Sequence, residues 1–134
     1  MAKIHAGFSE LKASHVRLVA AAQAVQGPPA HLLLFYAAEC GLKYVHLRRN
    51  NFRTTEQLGS IDHDLSLLIK NLNLPASAIG GVPALHLSRD ENESCPPSSS
   101  HQAWRYGVRI DGEDEARFVI WLRRICDVVV REYL

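Results

Sequence analysis

No apolar run in this 134-residue chain approaches the roughly 20 residues that a membrane-spanning helix needs, so no membrane contact is expected. The opening segment, Met1 to Gly7, lacks the hydrophobic region of a secretory signal. An excess of one charge is lacking too: 15 lysines and arginines stand against 14 aspartates and glutamates, for a net charge of +1. No global field therefore recruits nucleic acid or anionic lipid, although local basic patches are allowed. Cysteine is scarce and odd in number. Cys40, Cys95 and Cys126 show no zinc-site spacing, and Cys40 and Cys126 fall in apolar helical patterns, where a thiol acts as a small hydrophobe. A reduced, cytoplasmic setting is expected. Also missing are a glycine-rich phosphate loop, a nucleophile elbow and a zinc-hydrolase signature. His5, His31, His46, His86 and His101 have no metal-ligand spacing, so neither a metal nor a cofactor is expected.

What is present is helical periodicity. The length suits one domain, residues 1–134, large enough to bury a core without disulfides. Phe8, Leu11, His15, Leu18, Ala22 and Val25 recur at steps of three and four, which predicts an amphipathic helix over 8–26. Gly27-Pro28-Pro29 ends it and opens a second helix running to about Arg49. That helix is apolar nearly all round at its start, so a central position is expected. Residues 50–60 read as a polar connection, with room for one helical turn. Ser60 or Asp62 can cap a third helix with Leu65, Leu68, Ile69 and Leu72 on its apolar face. Residues 76–103, with Gly80-Gly81, Pro83 and Cys95-Pro-Pro-Ser-Ser-Ser100, read as a long irregular loop. Val82–Leu87 and Tyr106–Ile110 alternate weakly, as a small β-ribbon would. The acidic run Asp111 to Glu115 starts a last helix with Phe118, Leu122, Ile125 and Val129 in one stripe. Charges four apart on it (Glu113 with Arg117, Arg123 with Asp127, Asp127 with Arg131) suit helical pairs. The expected fold is all-α: an antiparallel four-to-five-helix bundle with a long irregular loop before the last helix.

The order of short motifs in these helices is familiar. The second helix contains Tyr36-Ala-Ala-Glu39-Cys-Gly-Leu-Lys43, the third opens at His63-Asp64-Leu65, and Trp104-Arg105-Tyr106 comes before the last helix. In this order the chain resembles the HEPN superfamily of small helical bundles, over nearly its whole length except roughly 76–100. RNase members of that superfamily carry an arginine, a polar residue and a histidine four to six positions on, near the start of the last long helix. Arg105 and Arg109 stand in about that region, but no histidine follows either of them at that distance. The resemblance therefore implies a HEPN-like bundle without the nuclease motif. It implies a role as a non-catalytic partner or ligand-binding module in a bacterial defence, toxin–antitoxin or nucleotidyltransferase system.

Three groups of residues invite a reading beyond plain packing. Glu39 stands four residues before Lys43 in an apolar helix, the favourable orientation for a helical pair, with Tyr36 and His46 near the same face. This is either a tie to neighbouring helices, with Lys43 snorkelling to water, or a polar seam for a ligand or partner. His63 lies between Asp62 and Asp64, but consecutive helical residues point apart, which favours a helix start over an acid–base site. His101, Trp104, Arg105, Tyr106 and Arg109 mix aromatic and basic groups, as do surfaces that stack bases and protein-interface hot spots. The alternative is that Trp104 and Tyr106 plug one end of the bundle while the arginines pair with Glu113 to Glu115.

The expected function is thus an interaction module, an accessory or regulatory subunit that forms a homo-oligomer, docks on a larger protein partner, or does both. Its candidate partner- or ligand-binding residues are Tyr36, Glu39, Lys43, His63, Trp104, Arg105, Tyr106 and Arg109, and no residue is expected to be catalytic. Two alternatives stay open. One is a metal-independent RNase with Arg105 or Arg109 stabilising phosphate and His101 or His63 as acid or base. The other is a small nucleotide-binding regulator using the same basic and aromatic cluster, with weak RNA or nucleotide contact.

Overall fold

The helix with the most buried residues sets the layout. The structure, a computed structural model, describes residues 4–74 and 76–134. Helix α1 spans Phe8–Ala24 and α2 spans Pro28–Asn50. A 3-10 segment, Thr55–Ile61, leads to α3 (Leu65–Leu72) and the short α4 (Ala76–Ile79). Strands β1 (Leu85–Leu87) and β2 (Asp90–Cys95) follow, then a 3-10 turn at Pro97–Ser99, α5 (Ser100–Tyr106) and α6 (Gly112–Tyr133). The fold is mostly helical with one two-stranded sheet among the described residues. No described helix is long and apolar enough to cross a membrane.

Helix α2 packs against α1, α3, α5 and α6. From Leu34 to Leu47 it buries Phe35, Ala37, Ala38, Leu42, Val45 and further residues, as expected of a central element. The close approach of α1 depends on Gly41. A Cβ at Gly41 would sit 2.8 Å from His15 Nδ1 and 3.2 Å from Val129 Cγ1, inside contact distance on both sides. The glycine thus lets α1 and α6 approach α2 at one level. His15 lies 1% exposed on this contact, its Nδ1–H donating to the Ala37 carbonyl at 2.7 Å. Helix α6 contributes Phe118, Leu122, Ile125 and Val129, all buried, in the stripe read from the sequence.

The helix starts follow local chemistry. Gly27, at φ 73°, takes the positive φ that other residues resist, and Pro28 and Pro29 fill the first turn of α2. Asp111 caps α6 by accepting the Asp114 amide at 3.1 Å. The cap of α3 is Asp64, which accepts the Leu67 amide at 3.2 Å, rather than Ser60 or Asp62. Asp62 turns inward instead, toward Lys43.

Residues 76–103 differ from the irregular loop expected. They contain α4, the β1–β2 hairpin, the second 3-10 turn and the start of α5. The weak alternation of Val82–Leu87 marks a real strand, but its main partner is Asp90–Cys95, with His86 opposite Ser94 and an irregular step before Leu87. The other half of the expected ribbon survives as one antiparallel bridge, Leu87 to Ile110. Leu85, Leu87 and Ile110 are buried, so the hairpin seals part of the core. Its polar β2 sequence, Asp-Glu-Asn-Glu-Ser, hid it: four of these five residues are charged or amide side chains that rarely favour strands.

Candidate functional site

The Glu39–Lys43 pair is an internal tie. Lys43 Nζ lies 3.3 Å from Glu39 Oε2 on its own helix and 2.9 Å from Asp62 Oδ1 on the segment before α3. The lysine side chain is 8% exposed and that of Asp62 4%. A cation held between two carboxylates at this depth anchors α2 to the chain leading into α3, and its ammonium is turned away from solvent. Tyr36, two turns earlier on the same helix, is half-buried, edge-on to Phe35 and 6.2 Å from the His101 ring. His63 is exposed, with Nε2 3.6 Å from Asp62 Oδ2, so it touches this tie only at its solvent edge. His46 turns to α3 instead, its Nε2–H donating to the Leu68 carbonyl at 2.9 Å, and burial pushes its pKa down.

The aromatic–basic cluster splits into two layers. Trp104 is buried, its indole N–H donating to Glu115 Oε2 at 3.0 Å and its ring packed near Phe118 and His31. It plugs the structure beneath the α5–α6 turn. Tyr106 does not join it; the residue is 71% exposed, with the Arg105 guanidinium 5.1 Å from its ring centre. Arg109 is exposed as well. Gly107, at φ 74°, ends α5 and sets the direction in which Tyr106 and Arg109 flank the turn. Among the described residues neither Arg105 nor Arg109 makes an ion pair within 4 Å, so the expected pairing with Glu113 to Glu115 is not formed. His101 sits apart, against Phe35, with its pKa lowered by burial and by the neighbouring Arg105 charge.

A third cluster escaped the sequence reading. His86 on β1 places both its backbone N–H and its Nδ1 3.0 Å from Asp114 Oδ2, and Arg117 reaches Asp114 Oδ1 at 2.5 Å. Arg117 therefore pairs three residues back rather than with Glu113 four back. The imidazole and guanidinium hydrogen bonds hold the Asp114 carboxyl below the usual carboxylate range. With Nδ1–H donated to that carboxylate, Nε2 is left as the basic nitrogen of His86. The Leu87–Ile110 bridge sends those two residues inward, which leaves His86, Ser88, Arg109 and Asp111 on the outer face. The amides of Ser88 and Asp111 fix this register by donating to Arg109 and His86 carbonyls at 2.9 and 2.8 Å.

The cysteines offer no exposed, activated thiol. Burial raises the pKa of all three, that of Cys126 to about 12. Among the described residues no three histidine, cysteine or carboxylate side chains converge as a metal site. No protein-family model, curated protein or solved structure matches this chain.

Proposed function

We propose that this chain is a HEPN-like helical bundle acting as a non-catalytic interaction module, an accessory or regulatory subunit that docks on a larger protein of a bacterial defence, toxin–antitoxin or nucleic-acid-processing system. One observation carries the reading: Tyr106 stands 71% exposed beside a stacked Arg105, on a turn braced from below by buried Trp104. A tyrosine has few rotatable bonds to immobilise, and a guanidinium stacked on it is partly preordered. Such pairs recur among residues that dominate binding energy. The other polar groups expected to bind, Glu39 and Lys43, are already engaged with each other and with Asp62. Pull-down from the native host with Tyr106→Ala and Arg105→Ala variants tests this. Trp104 stays in place in both, so the fold is kept. Loss of one stoichiometric partner supports the reading; retention of every partner overturns it.

A second reading, a metal-independent RNase, is favoured by one specific feature. His86 shares the outer face of the Leu87–Ile110 bridge with Arg109, and Arg117 holds the same Asp114 carboxylate, so an imidazole stands among cations suited to a phosphodiester. The histidine in this version is His86, rather than His63 or His101. RNA cleavage in chelator, lost in His86→Asn, is its expected result; equal behaviour of the two proteins rejects it.

A further inference from the structure

The outer face of α6 carries a pattern unrelated to the turn just discussed. Opposite its buried stripe, Ala116, Ile120, Arg123, Asp127, Val130 and Leu134 follow one another at steps of four, three, four, three and four. That spacing keeps all six in one narrow stripe along about 27 Å of helix. All are exposed, including the large apolar side chains Ile120 (48%), Val130 (51%) and Leu134 (40%). The stripe is also a chemical palindrome about position 125: apolar, apolar, basic, acidic, apolar, apolar. Turned end for end, Ile120 meets Val130, Ala116 meets Leu134, and Arg123 meets Asp127. A two-fold axis demands this self-complementarity, because residue i must fit residue j while j fits i.

The charges at its centre are left over from the pairing within the chain. Arg123 and Asp127 have the spacing of a helical pair, yet among the described residues neither lies in an ion pair within 4 Å. Arg124, which could repel its own copy near the axis, is turned aside to the Gly80 turn, its guanidinium 3.5 Å from where a Cβ there would stand. The stripe is also a ridge between two depressions. A cleft of about 590 Å³ separates it from Val19 and Ala22 of α1, and one of about 390 Å³ from Ala78 of α4. A ridge flanked by grooves is the shape that a second helix packs against.

We propose that a second copy of this chain docks on this stripe, α6 against α6 in antiparallel orientation, with Arg123 of each copy paired to Asp127 of the other. The surface uses none of Arg105, Tyr106 or Arg109, so its failure leaves the docking function above standing, and the reverse holds too.

Sedimentation of the full chain at tens of micromolar should give twice the chain mass. Arg123→Asp sets two acids against each other at both ends of the axis, and Asp127→Arg sets two bases; each variant alone should sediment as a monomer. Mixing the two variants in equal amounts should restore the double mass. In the mixed pair the acid introduced at position 123 faces the base introduced at position 127 of the other chain, and the native Asp127 of the first chain faces the native Arg123 of the second. The double variant Arg123→Asp/Asp127→Arg should also dimerise. Unchanged circular dichroism in all variants keeps folding out of the comparison. A monomeric wild type, dimeric single variants, or a mixture that stays monomeric would each overturn the proposal. Dimerisation of the wild type and of the double variant separates this register from a parallel pairing, in which like charges would meet in both; the mixture pairs opposite charges in either orientation.

Discussion

Replacing Lys43 by methionine tests the buried tie most directly. The side chain keeps its length and its place on α2, but the charge between Glu39 and Asp62 is gone. At an effective dielectric of about 20, a unit charge 2.9 Å from Asp62 Oδ1 gains roughly 6 kcal/mol gross, and one 3.3 Å from Glu39 Oε2 roughly 5 kcal/mol. Desolvation of all three groups consumes most of that gain, so the trio adds little net stability over an apolar equivalent. Breaking it is another matter. Asp62 is 3% exposed, and Lys43→Met leaves its negative charge buried near a second carboxylate without the lysine. The expected loss is about 3–5 kcal/mol, a fall in Tm of roughly 10–20 °C for a chain of this length. Asp62→Asn alone should cost less, since Lys43 keeps Glu39. Combining the two should recover stability relative to Lys43→Met, because the carboxylate that faced the lysine is neutralised along with its cation. Urea unfolding of the wild type, both single variants and the double variant gives the coupling. A loss under about 1 kcal/mol for Lys43→Met, or strictly additive single effects, would refute the internal tie and return Lys43 to the accessible binding groups.

Gly41→Ala should lower stability by about 1–3 kcal/mol, because its Cβ would fall 2.8 Å from His15 Nδ1 and force α1 or α6 outward; thermal unfolding measures it, and a neutral result would mean that the α1–α2 contact adjusts freely. His31, His46 and His101 all have pKa values lowered chiefly by burial, so below about pH 6.5 the unfolded chain binds protons that the folded chain resists. Stability is then full above that pH and falls on acidification through the window down to the folded-state values; His46→Gln, which can still donate to the Leu68 carbonyl, should flatten the slope. Asp114→Asn should speed amide exchange at His86 and Ser88, since the hairpin is held to α6 through that carboxylate and the adjoining 109–111 segment. Unaltered exchange there would show that backbone pairing alone holds β1.

The helices were legible because apolar spacing alone places them. Leu65, Leu68 and Leu72 of α3 and Phe118, Leu122, Ile125 and Val129 of α6 are buried as their periodicity requires. The hairpin was not legible, since its longer strand has no apolar alternation; only Cys95 at its end is buried. Short α5 was hidden for a different reason. Its seven residues follow a Pro-Pro-Ser-Ser tract, and about two turns of helix give too few apolar positions to show a period.

The candidate site divides along the same line between local and distant information. Glu39 and Lys43 are four apart on one helix, so their pairing could be read directly, while the third member, Asp62, belongs to another segment and reads locally as a cap. Asp62 and Asp64, on either side of His63, offer two carboxylates for one helix start. Asp64 takes the cap because Asp62 is the one facing the lysine. The His86–Asp114 contact is more remote still, 28 residues apart and created only when the hairpin closes on the start of α6. Trp104 and Tyr106 show the limit of composition on a single short helix. Two positions apart, they point to opposite sides, one filling the core above Phe118 and the other left to solvent. The exposed tyrosine, not the buried tryptophan, is therefore the residue whose removal tests the proposed docking without removing a core side chain.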